Sequence, residues 1–344
     1  MWVENASAEI EHDSRYPMFI CVCAVMVFLM TVAVALRAYN CAWGSRRVGV
    51  DDWATFVSAA LTLVYTIVAI RQTRLGLGLA VALRPIENTD EFTRLNYAGR
   101  PVYIAALATF KIALCCGALR IIQNTSRTTL RFVIKGFVVV ISLGHVAIAL
   151  ALMLYCRPVR KAWNPRIEGK CLSPGPLFYG TAAVSMICDL FAFSLPFAIL
   201  YPLRNLNRDI ARLIILLFFG FLTTICSVVR MIQTRTVVQN GDSTLLILWG
   251  VIEACIGVIT SSIPTFNGMI SALRKSRNSP SDACHDTDEY RKLPGTGSEA
   301  EDSIKLNNIT RTTDIQVTNE QIKNGQQVTT MKPVWEEGKL GIAI

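Results

Sequence analysis

The sequence predicts an all-α polytopic membrane bundle of seven transmembrane helices with a disordered C-terminal tail, and three observations predict it. Seven apolar stretches lie between residues 17 and 272, each close to the roughly 20 residues needed to cross a bilayer core about 30 Å thick. Only three formal charges fall inside them, Lys111, Asp189 and Glu253. The composition, 52% hydrophobic and 17% charged, is one that a soluble domain of 344 residues does not normally carry. The reading divides the chain into a short extracellular N-terminus (1–16), a membrane domain (17–272) and a disordered cytosolic tail (273–344) rich in Ser, Thr, Asn, Asp and Lys.

The first stretch, Pro17–Leu36, follows a leader with four acids and one Arg, so it reads as an uncleaved helix and not as a secretory signal. Glu4, Glu9, Glu11 and Asp13 precede it while Arg37, Arg46 and Arg47 follow it. Basic flanks stay inside, which places the N-terminus outside and, after an odd number of crossings, the tail in the cytosol. The plasma membrane is favoured over an internal membrane. Asp51 and Asp52 open the second stretch, Trp53–Ile70, where negative charge suits a helix N-terminus and reads as a cap. The third, Pro101–Leu119, contains Lys111 and ends at Arg120, read as snorkelling to the headgroups. His145, in Gly136–Cys156, reads as an interhelical hydrogen bonder. Leu177–Leu203 holds Asp189 and Pro196, Leu213–Val229 is closed by Arg230, and Leu245–Phe266 holds Trp249, Glu253 and Pro264. The two prolines predict kinks. Gly136, Gly144, Gly220, Gly257, Ser261 and Ser262 suit close helix contacts.

The net charge is +9, and residues 271–344 hold 10 basic against 11 acidic side chains, so the membrane body carries about +10. Basic residues at helix ends suit a lipid bilayer with anionic headgroups; no nucleic-acid partner is expected. Of eleven cysteines, Cys21, Cys23, Cys115, Cys116, Cys188, Cys226 and Cys255 lie within the apolar stretches, where Cys is a small apolar residue. Cys156 and Cys171 instead flank the third outer loop, in an oxidising compartment, and predict a disulfide. Asn5-Ala-Ser7 forms an outside glycosylation sequon; Asn124-Thr-Ser126 and Asn308-Ile-Thr310 would face the cytosol. No Cys/His spacing resembles a metal site and no catalytic motif is present, so neither a metal nor a catalytic residue is assigned.

An ionised group at the bilayer centre is costly without a partner. At about 1.5 Å rise per residue, the depths of Lys111, Asp189 and Glu253 agree to within roughly 6 Å. Lys111 therefore pairs with Asp189 or with Glu253, and the carboxylate left over is a candidate to bind a ligand or move a proton.

Together these pieces resemble a family. Asp51-Asp52-Trp53 opens the second helix and Gly76-Leu77-Gly78 follows it; Lys111 and Arg120 stand nine apart on the third. The outer loop carries Cys156-Arg-Pro158, Trp163 and Gly169-Lys-Cys171. Asp189 and Pro196, then Arg230, then Leu248-Trp249-Gly-Val-Ile-Glu253 and Pro264 complete the series. This order and spacing resembles the fungal seven-helix "rhodopsin domain" integral membrane proteins, which include receptor-like proteins and members from secondary-metabolite clusters. The resemblance runs from Arg37 to Phe266, with Ala80 where the family commonly has His, and Gly117-Ala118 where an aromatic residue is usual. It implies a receptor-like sensor that binds a small-molecule ligand among helices three, five and seven and answers to a cytosolic signalling partner. An enzyme or transporter acting on a secondary metabolite, or a non-catalytic membrane partner, are the alternatives. A retinal pigment needs a Schiff-base lysine on the last helix; that stretch has none, so no cofactor is expected.

Overall fold

Every apolar stretch becomes a helix, and the helices mostly outrun the stretches. The computed structural model describes residues 2–7, 10, 12, 14–43, 48–122, 128–164, 166–200 and 209–277. In chain order the helices are α1 (Tyr16–Trp43), α2 (Val50–Arg74), α3 (Thr89–Ile122), α4 (Thr128–Met153), α5 (Pro174–Leu200), α6 (Asp209–Asn240) and α7 (Thr244–Arg277). All seven are long and apolar enough to cross a membrane. Asn124, Asn308 and the tail from residue 278 onward, on which the sequence carried expectations, lie outside the described residues.

The extra length has a physical cause. Backbone N–H and C=O groups have no water to bond in hydrocarbon, so a helix continues until its end reaches the polar interface. Thus α3 starts at Thr89, and Pro101, expected to open the helix, lies inside it. Lacking an N–H, Pro101 leaves the Tyr97 carbonyl without its helical partner. In the opposite sense α4 stops at Met153, so Cys156 leaves the helix and opens a hairpin of β1 (Cys156–Arg157) and β2 (Lys170–Cys171).

The central helix is α3, which packs on α2, α4, α5 and α7, while α1 lies against α7 and α2, and α6 sits between α5 and α7. Phe19, Leu107, Phe110, Val251, Cys255 and Val258 form much of the core. Glycine permits one close approach there: a Cβ at Gly257 of α7 would lie 2.8 Å from the Phe110 ring of α3. Gly136, expected to make such a contact, meets only open space. The outward faces carry exposed Phe28, Ile67, Phe132, Leu143, Phe191 and Ile232, the apolar girdle that lipid tails require.

The buried face of α2, by contrast, is largely polar. On α2 the buried positions include Asp51, Thr55, Ser58, Thr62, Thr66, Ala69 and Thr73, spaced three or four apart so that they form one stripe. Thr62 and Thr66 hydroxyls donate to carbonyls four residues back on their own helix, and Ser58 Oγ donates across to the Ala106 carbonyl of α3 at 3.1 Å. With apolar lipid outside, hydrogen bonds and close packing hold the helices together.

After α2 the chain turns sharply through Gly76 and Gly78, with φ of +108° and +104°, burying Leu75, Leu77 and Leu79. The Gly78 carbonyl accepts from the Arg15 N–H at 3.1 Å, and its N–H donates to Thr244 Oγ1 at 3.1 Å. This turn joins the entry to α1, the exit of α2 and the start of α7. The N-terminal residues close the same end: Trp2 Nε1 donates to Thr73 Oγ1 at 2.9 Å, and the Glu4 N–H to the Arg74 carbonyl at 2.8 Å.

Candidate functional site

Three polar assemblies are stacked along the bundle. The middle one joins four helices. Lys111 of α3 lies 3.2 Å from Asp189 Oδ1 of α5, and its Nζ also donates to the Ser185 hydroxyl and carbonyl at 3.1 and 3.3 Å. Ser227 of α6 donates to Asp189 Oδ2 at 2.6 Å and faces Glu253 Oε1 of α7 at 3.2 Å, so one hydroxyl proton bridges two carboxylates. Arg230 Nη1 lies 2.6 Å from Glu253 Oε2. Tyr103 donates to that same oxygen at 3.1 Å while accepting from Arg230 Nη1. Lys111 and Glu253 are fully buried. Two cations and two anions cancel, which makes the burial tolerable.

This arrangement corrects two expectations. No carboxylate is left over, because Arg230 meets Glu253 once Lys111 has met Asp189. Arg230, read as closing the sixth helix, stands well inside it, since α6 continues to Asn240. A charge at the edge of an apolar run reads as its end, whereas a helix can continue past it; a charge with an internal partner stays in the bundle.

A second assembly lies where α1 ends and α2 begins. Arg37 Nη2 is 2.8 Å from Asp51 Oδ2, its Nε is 2.9 Å from Asp52 Oδ1, and its Nη1 donates to the Ser261 carbonyl. Arg120 Nη1 reaches Asp51 Oδ1 at 2.9 Å and Asp52 Oδ2 at 3.4 Å. Asp52 also accepts the Gly49 N–H at 2.9 Å, so it caps α2 and serves as an ion-pair partner. Arg120, read as snorkelling to headgroups, is instead committed to these carboxylates. Four helices, α1, α2, α3 and α7, are tied here; among the described residues two arginines meet two aspartates, and α7 joins through the Ser261 carbonyl.

The third assembly is a cavity at the opposite end, where α2, α4 and α6 finish and α3, α5 and α7 begin. Its volume is about 110 Å³, room for a small organic group and less than the roughly 300–1,000 Å³ of a drug-sized site. Its walls include Tyr65, Arg100, Tyr103, Phe178, Arg230 and Ser243. Arg230 and Tyr103 therefore belong both to the cavity and to the charge network. Arg84, beside this end, pairs with Asp242 at 3.0 Å, and Asp242 accepts the Thr244 N–H at the start of α7.

The hairpin between α4 and α5 stands at the same end. A disulfide joins Cys156 to Cys171, Trp163 packs on Tyr97 at 5.1 Å between ring centroids, and a Cβ at Gly169 would meet Pro158 Cδ at 2.7 Å. Asn5 is exposed and its Nδ2 donates to Asn88 Oδ1 at 2.8 Å. Trp249 is half-buried one turn before Glu253, and Pro264 lies within α7 with its side-chain surroundings outside the described residues. His145 does not bridge helices: its Nδ1 bonds the Ile141 carbonyl of its own helix at 2.9 Å. Among the described residues no His, Cys, Asp and Glu cluster is placed to hold a metal. The sequence reading missed Arg100, Tyr103, Ser227 and Ser243.

Comparison with known proteins fits this architecture. The chain is 20% identical over 262 residues to the wortmanamides biosynthesis cluster protein C of Talaromyces wortmannii, covering 75% of this chain and 72% of that one. It is 25% identical over 186 residues to the fugralins biosynthesis cluster protein 2 of Gibberella zeae, covering 51% of this chain and 46% of the relative. No solved structure matches. A family model, the fungal rhodopsin domain, matches residues 36–272, from the residue before Arg37 through most of α7; spanning all three assemblies and more than half the chain, that match makes the protein a member of the fungal rhodopsin domain family.

Proposed function

We propose that the protein is a receptor-like membrane sensor whose small ligand enters the cavity between α2, α3, α5, α6 and α7. One observation carries this reading: Arg230 and Tyr103 line the cavity and also hold Glu253, so a ligand that draws on either disturbs a network running through Ser227, Asp189 and Lys111. Occupancy thereby bears on the relative placement of four helices, and a two-state bundle answers by shifting its population. With the N-terminus outside, the cavity opens to the exterior and the Arg37 assembly faces the cytosol, where a signalling partner would meet the inner loops.

The fitted groups do not suit retinal. No lysine lines the cavity, and the Lys111 amine is taken by Asp189 and Ser185.

A second reading, an enzyme or transporter acting on a secondary metabolite, is favoured by the names of the two relatives, both biosynthesis cluster proteins. Against an acid/base enzyme, Asp189 and Glu253 are each paired with a cation. A metabolite profile of the native host with the gene deleted separates the readings. The sensor predicts a whole set of related compounds falling together with no precursor accumulating. Loss of one compound with build-up of its precursor, reproduced by Glu253→Gln at normal membrane expression, would replace the sensor with the enzyme.

A further inference from the structure

Among the described residues four buried side-chain atoms have no hydrogen-bond partner, and two of them, Arg100 Nη1 and Ser243 Oγ, belong to the cavity wall. The other two, on Asn40 and His145, belong to residues away from it. An unmet guanidinium N–H out of water is more costly than an unmet neutral donor. The Arg100 guanidinium lies over Phe178 at 4.9 Å and over Tyr155 at 5.8 Å from the ring centroids. Stacking of this kind holds the plane of the guanidinium but offers no acceptor in that plane.

Charge points the same way. Arg37, Arg84, Arg120, Lys111 and Arg230 each meet a carboxylate. The cavity wall contains Arg100 and Arg230 and no Asp or Glu, and the charge of Arg230 is matched by Glu253. One positive charge therefore faces the cavity uncompensated. Around it lie apolar surfaces from Ile104, Leu152, Leu246 and Ile247.

Resting on the cavity-ligand reading above, we infer that the cavity is an anion site for an organic acid: a single carboxylate on a largely apolar body, held by the Arg100 guanidinium and the Ser243 hydroxyl once a turn of each side chain brings these buried groups to the cavity. A monoanion is the matched charge; a phosphate dianion would leave one negative charge without a partner in a low-dielectric site. The acid arrives either dissolved in water or as a fatty acid already in the bilayer, and the carboxylate chemistry is the same for both.

The test uses the full chain in nanodiscs of zwitterionic lipid, with thermal unfolding followed in the presence of probe acids. Benzoate and hexanoate represent water-borne acids and dodecanoate a bilayer-borne one, each beside its methyl ester. The expected result is stabilisation by at least one acid and much less by its ester. Arg100→Gln is expected to weaken the acid by roughly tenfold or more, the loss of a charged hydrogen bond, and to erase the difference between acid and ester. Arg100→Lys retains part of that difference, and Ser243→Ala lowers it. Should Arg100→Gln fail to fold, the Lys and Ala variants carry the same comparison. Acid and ester acting equally, with both effects abolished by Ala182→Phe across the cavity, would overturn the anion site and leave the cavity-ligand reading standing. No effect of any acid or ester would overturn both.

Discussion

At Gly78 the demands of backbone and packing coincide. Its φ is +104°, and a Cβ there would sit 3.1 Å from the Tyr16 nitrogen and 3.2 Å from the Ser14 hydroxyl. Gly78→Ala is therefore expected to cost about 1–2 kcal/mol from the left-handed backbone, with the crowding adding to it. Gly136→Ala is the matched control: inside α4, with open space at its Cβ, it gains up to about 1 kcal/mol of helix propensity. Thermal unfolding of the purified protein in detergent reads both, and equal effects would refute the account of the turn. The Gly-Leu-Gly pattern stood in the sequence only as a piece of the family resemblance, and its contacts with the residues before α1 had no local signal. Arg100 was equally hidden. Standing outside the third apolar run, beside Pro101, it looked like a flanking charge; only the longer helix and the meeting with Phe178 make it a wall residue. Ser227 and Tyr103 carried a weak signal that a search for charges passes over. Tyr103, Leu107 and Lys111 fall on one stripe of α3 by their spacing of four, as do Thr223, Ser227, Arg230 and Thr234 on α6.

At the scale of elements, the two central ion pairs can be told apart from a functional site by removing charges singly and together. Lys111→Met or Asp189→Leu alone strands a buried charge, a loss of about 3–5 kcal/mol, while the double replacement restores most of it. Folded yield and unfolding temperature of the three variants give the coupling directly. If the double variant folds and still answers ligand, the Lys111–Asp189 pair is packing alone; recovered folding with a lost response assigns it to signalling. The hairpin between α4 and α5 makes a separate prediction. A disulfide closing a loop of 15 residues contributes about 3 kcal/mol by restricting the unfolded chain, so Cys156→Ser should lower the unfolding temperature to that of the reduced wild type, with no further drop on adding reductant. The helices themselves were legible because a bilayer imposes one length and one composition. Their ends were not, since apolar content stops at the headgroups while hydrogen bonding carries the backbone farther. Which charges meet was also out of reach: depth along the bundle admits both Lys111–Asp189 and Lys111–Glu253, and rotation about each helix decides.

For the whole molecule, the charged assemblies at its centre and at the Arg37 end are joined through α3 and α7, which run past both. Asp52 is fully buried and takes part in bonds to Arg37, Arg120 and the Gly49 N–H. Replacing it by Asn removes one of the carboxylates that Arg37 and Arg120 meet, loosening α1, α2 and α3 at that end. If ligand occupancy and the state of that end are linked, the linkage is reciprocal: a change that favours one inner-end arrangement must alter affinity in the cavity, although Asp52 is not part of the cavity wall. Typical coupling of 1–3 kcal/mol corresponds to roughly 5- to 150-fold. Asp52→Asn is thus expected to shift the affinity of any acid that stabilises the wild type by roughly fivefold or more, with an unchanged preference for acid over ester. Titration of the same probes against wild type and variant, each checked for cooperative unfolding, supplies the measurement. Identical affinities in two well-folded proteins would mean that the cavity and the Arg37 assembly act independently, and would remove the route by which a ligand outside could be read inside.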